Sequence, residues 1–135
     1  YHSKIICSVL CSEAIQDAKR NHSLFYNQKA FQVPAADICI EDIGFDWNWN
    51  GWDITFFVAE GHTNAGICFE IGSNLFTGDT LLKDLRTVTK LFCGSKEKLV
   101  VTINRIKRLQ GKGFYVYPGH GDGFDLDNYD LNKAL

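Results

Sequence analysis

The chain is 135 residues long, 45% hydrophobic and 22% charged, which suits one globular domain with a real core and excludes wholesale disorder. Fourteen Lys and Arg against sixteen Asp and Glu give a net charge of −2, so the basic surplus usual in nucleic-acid-binding proteins is missing. No apolar run is long enough to span a bilayer, and the opening residues YHSKIICSVL show no basic stretch followed by a long apolar one, so neither a membrane segment nor a signal peptide is expected.

In chain order, KIICSVL (4–10) is a short apolar run with β-branched residues and reads as a buried strand. Ser12 is placed to cap a helix SEAIQDAKR, with Glu13 in its first turn and basic residues at its end. Val33-Pro34 disfavours helix and leads into a strand DICIE (37–41). Asn50-Gly51 is a favoured two-residue hairpin turn. Around it, pairing 49 with 52, 47 with 54, 45 with 56 and 43 with 58 puts Ile43, Phe45, Trp47, Trp49, Trp52, Ile54, Phe56 and Val58 on one face, read as a core face. Asp46, Asn48, Asp53 and Thr55 take the other. The competing reading of Trp47, Trp49 and Trp52 is a stacking platform for a sugar.

GHTNAG (61–66) is a loop, ICFEI (67–71) and LFTG (75–78) a second hairpin, and Ser95 caps a helix reaching about Gln110, with Leu99, Ile103, Ile106 and Leu109 at helical spacing. FYVYP (114–118) is a strand, GHGDGF (119–124) a Gly-rich loop, and the tail a short helix. The sum is an α/β (α+β) domain with a mainly antiparallel sheet covered by helices. The five cysteines, 7, 11, 39, 68 and 93, form no C-x-x-C pair. Cys7, Cys39 and Cys68 lie in apolar runs, so buried free thiols and a reducing, cytoplasmic setting are expected.

Three polar side chains share one placement. His62 follows the strand ending near Ala59, Asp79 follows LFTG, and His120 follows FYVYP between two glycines. If those strands are neighbours, the three converge at one sheet edge. Imidazole and carboxylate are good zinc donors, and glycine lets the backbone crowd a site. Taken alone, each reads as an ordinary exposed loop or turn residue.

The stretch AEGHTNAGICFEIGSNLFTGDTLL, then a helix, then FYVYPGHGDGF, resembles the metallo-β-lactamase superfamily of hydrolases. Upstream, IICSVLCSEAIQDAKRN resembles the strand and helix that follow that family's first metal motif. The resemblance implies an αββα sandwich with a zinc site at one edge. It makes His62, Asp79 and His120 metal ligands: His62 on the first metal, Asp79 bridging two, and His120 on the second. Asp79 and His120 are thereby the residues on which catalysis depends. It implies two zinc ions in the intact protein, with Fe or Mn as alternatives, and a metal-bound hydroxide attacking an ester, thioester, lactone or similar small molecule.

The chain departs from the family in lacking H-x-H-x-D-H, which supplies most of the ligands; His2 and His22 have neither its spacing nor its following Asp-His. Residues 1–135 are accordingly expected to be the C-terminal portion of a single such domain, short of its N-terminal strands and incomplete as an enzyme. Two smaller departures are Glu60 in place of a frequent Pro and Asn64-Ala65-Gly66 in place of Pro-Gly-Ser. The alternative is a fold-retaining binding or structural module that has lost its metal. The expected partner is a small-molecule substrate, with homo-oligomerisation open and no nucleic acid or membrane. Lys83, Arg86 and Lys90 either hold an anionic substrate at the mouth or are solvated loop charges.

Overall fold

The computed structural model describes residues 3–21, 23–24, 29–41, 44–90 and 93–135; His2, His22 and Ile43 lie outside them. The described strands are β1 (Ile6–Ser8), β2 (Ile38–Ile40), β3 (Phe45–Trp49), β4 (Trp52–Val58), β5 (Ile67–Ile71), β6 (Asn74–Gly78), β7 (Tyr115–Pro118) and β8 (Phe124–Asp125). Helix α1 is Val9–Ile15, α2 is Lys96–Lys107, and a 3-10 helix covers Leu131–Ala134. β1 and β2 pair in parallel as a small sheet. The other six follow in the order β3-β4-β5-β6-β7-β8, antiparallel except for the parallel pair β6–β7.

The amino-terminal expectation needs correction. β1 holds only three residues, and Ser8, not Ser12, caps α1. Ser8 is extended, and its Oγ accepts from the Cys11 N–H at 3.1 Å while donating to the Ala65 carbonyl at 2.8 Å. Both capacities of that hydroxyl are thus used at the helix entrance. Ser12 sits inside α1, buried, and its Oγ accepts from the Ala36 N–H at 2.9 Å. The helix stops at Ile15, so Lys19 and Arg20 lie beyond it and do not complement its dipole.

The first hairpin has the expected register over 45–49 and 52–56. Asn50 (φ 51°) and Gly51 (φ 86°) supply the two left-handed residues of a type I′ turn. Its burial differs from expectation. Ile54 and Phe56 are buried against Ile40, with Ile6 beside them, but Trp49 and Trp52 are 53% and 61% exposed. The β1–β2 sheet covers the base of the hairpin, and the tip runs past its cover.

The opposite face of the six-stranded sheet packs on α2. Phe57, Cys68, Leu75 and Val116 meet Leu99, Ile103 and Ile106, and Leu126, Leu131 and Ala134 close the cluster. Ser95 caps α2 as expected, its Oγ accepting from the Lys98 N–H at 3.2 Å. The Arg105 guanidinium lies 4.3 Å over the Phe57 ring. Cys7 and Cys68 are buried free thiols, as expected; Cys39 is exposed, because Ile40 takes the inward position in β2. No described helix is long and apolar enough to cross a membrane.

Candidate metal centre

The strand order places the ends of β4, β6 and β7 near one another, and each of the three loops leaving them is tied down. The Ala59 N–H donates to the Gly66 carbonyl at 2.8 Å, closing the loop that carries His62. That loop is pressed onto α2: the Ser95 N–H donates to Gly61 O at 2.9 Å and Thr102 Oγ1 to Glu60 O at 2.7 Å. A Cβ on Gly61 would stand 2.6 Å from Leu99 Cα, so only glycine permits this approach. Glu60, where the resemblance favours Pro, also pairs with Lys98 Nζ at 2.8 Å.

Asp79 follows a bulge in β6, where the register shifts between Phe76 and Gly78, and Gly78 has φ 52°. Such bulges re-aim the next side chain. Behind it lies a buried threonine chain: Thr77 Oγ1 donates to Leu81 O at 2.9 Å and Thr87 Oγ1 to Thr80 O at 2.9 Å. His120 follows β7, where the Gly119 N–H donates to Gly78 O at 2.9 Å. A Cβ on Gly119 would collide with Asp79 Oδ1.

The three side chains expected to converge do so. His62 Nε2 lies 3.8 Å from Asp79 Oδ2, and His120 Nε2 lies 3.6 Å from Asp79 Oδ1. The two carboxylate oxygens therefore face two different imidazoles. His62 Nδ1 is 2.8 Å from the Val88 carbonyl. A carbonyl only accepts, so Nδ1 carries the hydrogen, and Nε2 is the ring nitrogen turned towards Asp79. Exposure rises across the group, from 24% for His62 to 43% for Asp79 and 60% for His120.

Both N···O separations are too long for hydrogen bonds. They lie near the roughly 3.3 Å between two donors that share a tetrahedral ion at about 2.0–2.1 Å from each. The donor set fits a carboxylate-bridged pair of cations in part, with one imidazole on each side. It does not close: among the described residues no group of three or more His, Cys, Asp or Glu is arranged to hold an ion by itself.

Gly119 crowds the site as its place beside His120 suggests, whereas the Val88 carbonyl and the buried Thr77, Thr80 and Thr87 are not marked out in the sequence reading. The threonines flanking Gly78-Asp79 in TGDT were the available signal; the role of Val88 is purely backbone and has none. The three basic residues after Asp79 part company. Lys83 pairs with Asp122 at 3.9 Å, two residues past His120. Arg86 donates from Nε to Leu135 O at 2.7 Å, and Arg86 and Lys90 line one hollow beside the His62 loop.

No protein-family model matches the chain. It is 34% identical over 86 residues to the probable polyketide biosynthesis zinc-dependent hydrolase BaeB of Bacillus velezensis, covering 64% of this chain and 38% of that protein. It is 35% identical over 66 residues to the similarly named PksB of Bacillus subtilis, covering 49% of this chain and 29% of that one. Among solved structures, the BLEG-1 B3 metallo-β-lactamase superposes on 91% of this chain with a TM-score of 0.78, at 17% identity and 60% coverage of its own length. This is the metallo-β-lactamase fold. A second neighbour with that fold, TTHA1623, solved in a di-iron-bound form, matches 90% of the chain and 59% of its own with a TM-score of 0.67, at 19% identity. The chain thus spans under two thirds of each of these proteins, and its metallo-β-lactamase fold carries the His62–Asp79–His120 edge.

Proposed function

We propose that the chain supplies one shared carboxylate and two imidazoles to the dinuclear centre of a metal-dependent hydrolase, with zinc as the metal. The substrate class is an ester, thioester, lactone or similar small molecule. One observation carries the reading: the two oxygens of Asp79 face separate histidines, Oδ2 towards His62 and Oδ1 towards His120. The names of the two Bacillus relatives support zinc and hydrolysis, and the di-iron neighbour leaves iron as an alternative.

In this reading His62 and His120 would each hold one cation, and Asp79 would serve both. Two bound divalent cations supply an activated water and charge stabilisation for a developing oxyanion. The chain's own part is to fix the donors beforehand. The Val88 carbonyl holds the His62 tautomer, and Gly119 keeps the side of Asp79 clear.

The test is Asp79→Asn in the full protein, which keeps side-chain volume at a half-exposed position. Metal content and thioester or ester hydrolysis are expected to fall together, the rate by about 10²-fold or more, since outer-shell changes alone cost 10–100-fold. Undiminished hydrolysis would overturn the reading. A second reading, a binding module without metal, draws on the unclosed donor set. Elemental analysis of purified full protein separates the two: about two equivalents, as in two-metal hydrolases, supports the enzyme, and none supports the module.

A further inference from the structure

Three of the five cysteines collect on the small β1–β2 sheet and the helix that follows its first strand. Cys7 and Cys39 are register partners in the parallel pair. Ile6 and Ile40 turn from those strands into the hairpin core, so alternation sends both thiols to the opposite face. Adjacent strands hold facing Cα atoms about 4.7–4.9 Å apart, inside the roughly 4.4–6.8 Å that a disulfide spans. Cys11, in the first turn of α1, reaches the Cys7 thiol with a side-chain hydrogen bond, and Cys39 acts on the same thiol through charge. Cys7 is buried, Cys11 half-buried and Cys39 exposed. The set therefore runs from an open thiol to a covered one beside it.

These thiols adjoin the loop that carries His62. Ser8, the residue after Cys7, donates to the Ala65 carbonyl at 2.8 Å and accepts from the Cys11 N–H at 3.1 Å. Cys11 also lines one hollow with Thr63, Asn64 and Ala65. A backbone shift at Cys7 is thus passed to residues 63–65 through a single hydroxyl.

We propose that Cys39 and Cys7 form a peroxide-reactive disulfide site, and that closing the bridge disturbs the Ser8–Ala65 contact and weakens metal uptake at His62. The effect on metal uptake rests on the hydrolase reading above; the disulfide site does not. In the first step the Cys39 sulfur attacks hydrogen peroxide: the O–O bond breaks, Cys39 becomes a sulfenic acid and one water leaves. In the second the Cys7 sulfur attacks the Cys39 sulfur. An S–S bond forms, the S–O bond breaks, and the hydroxyl departs with the Cys7 proton as water. Both thiols are oxidised and the peroxide is reduced. Exposed Cys39 reacts first, because burial and its thiol neighbours keep Cys7 protonated.

The test takes reduced, metal-free full protein, treats it with hydrogen peroxide, blocks the remaining free thiols and maps the peptides by mass spectrometry. A Cys7–Cys39 bridge that dithiothreitol reverses is expected. Cys39→Ser changes an exposed position, so it should fold as the wild type does and lose the bridge; Cys93→Ser, at another exposed thiol, should keep it. A bridge through Cys11 instead, a bridge between two molecules, or sulfinic acid at Cys39 without a bridge overturns the site. Zinc titration then reads the coupling: the bridged protein should bind zinc about tenfold or more weakly than the reduced protein, the scale of an outer-shell change, and Cys39→Ser should be indifferent to peroxide. Equal affinity of the bridged and reduced forms overturns the coupling alone. Zinc bound by neither form overturns the hydrolase reading and the coupling with it, while the bridge is judged on the peptide map.

Discussion

The two faces of the six-stranded sheet carry rows of apolar side chains of similar weight, yet they end in different states. On the α2 side, Phe57, Cys68, Leu75 and Val116 are fully buried beneath the helix and the carboxy-terminal segment. On the other side, rings run across five strands, Phe45–Phe56–Phe69–Phe76–Tyr117, with centroids 6.2, 5.5, 4.6 and 5.1 Å apart. Only the part of that face beneath β1 and β2 is buried; Trp49, Trp52, Tyr115 and Tyr117 stay exposed. Alternation along a strand decides which face a side chain joins. What lies over the face decides whether that side chain stabilises the fold.

The sharpest way to break this comparison is to truncate one ring on each face. Phe57→Ala should cost about 3–5 kcal/mol, since a fully buried ring leaves both lost transfer energy and a cavity. Trp52→Ala removes a larger ring but should cost less than about 1 kcal/mol, because that ring is already in water. Urea unfolding of both variants measures the difference. Equal losses would mean that the hairpin tip is covered after all.

A smaller effect is expected where the two faces meet, at the edge bearing Asp79. Gly119→Ala would drive a Cβ against Asp79 Oδ1 and to 3.0 Å from Gly78 C. Overpacking of this kind costs about 1–3 kcal/mol. Gly72→Ala is the control: it meets nothing within 4 Å, so only its left-handed φ of 56° is penalised. Both variants should melt earlier, but only Gly119→Ala should lose metal uptake. Normal uptake by it would show that Asp79 has room the geometry denies it.

Much of this was legible in the residues, for identifiable reasons. Asn50-Gly51 admits essentially one turn type, so the register around it followed, and Ser95 marked the start of α2 correctly. His62, Asp79 and His120 could be placed together because each ends an apolar strand beside glycine, and the strand order then joined them. Two serines four residues apart, Ser8 and Ser12, offer the same capping chemistry; what chose Ser8 is the Ala65 carbonyl, 57 residues away. The anchoring of His62 by a backbone carbonyl at Val88 leaves no mark on residue type. The exposure of Trp49 and Trp52 was illegible for a related reason, since it depends on how far the small β1–β2 sheet extends.

The smallest effect concerns thiols, and it separates covered from open positions without removing a ring. Burial pushes the Cys68 thiol up to about 12, and burial followed by the nearby Cys11 and Cys39 does the same for Cys7. In the unfolded chain both should ionise near the ordinary value of 9.0. A folded pKa above the unfolded one means that the native state holds its proton longer, so stability is intact below pH 9 and falls as pH rises towards 12. By pH 10 the loss from Cys68 should be about 1 kcal/mol. It is read as the difference in urea midpoint between pH 7 and pH 10, compared with Cys68→Ala, in which the tyrosine and lysine contributions remain and the Cys68 contribution is gone. The same argument orders the reaction with an alkylating reagent at pH 8: exposed Cys39 and Cys93 first, Cys68 only on unfolding. If Cys68 reacted as fast as Cys39, the α2 side would be no better covered than the Trp side, and the contrast between the faces would collapse.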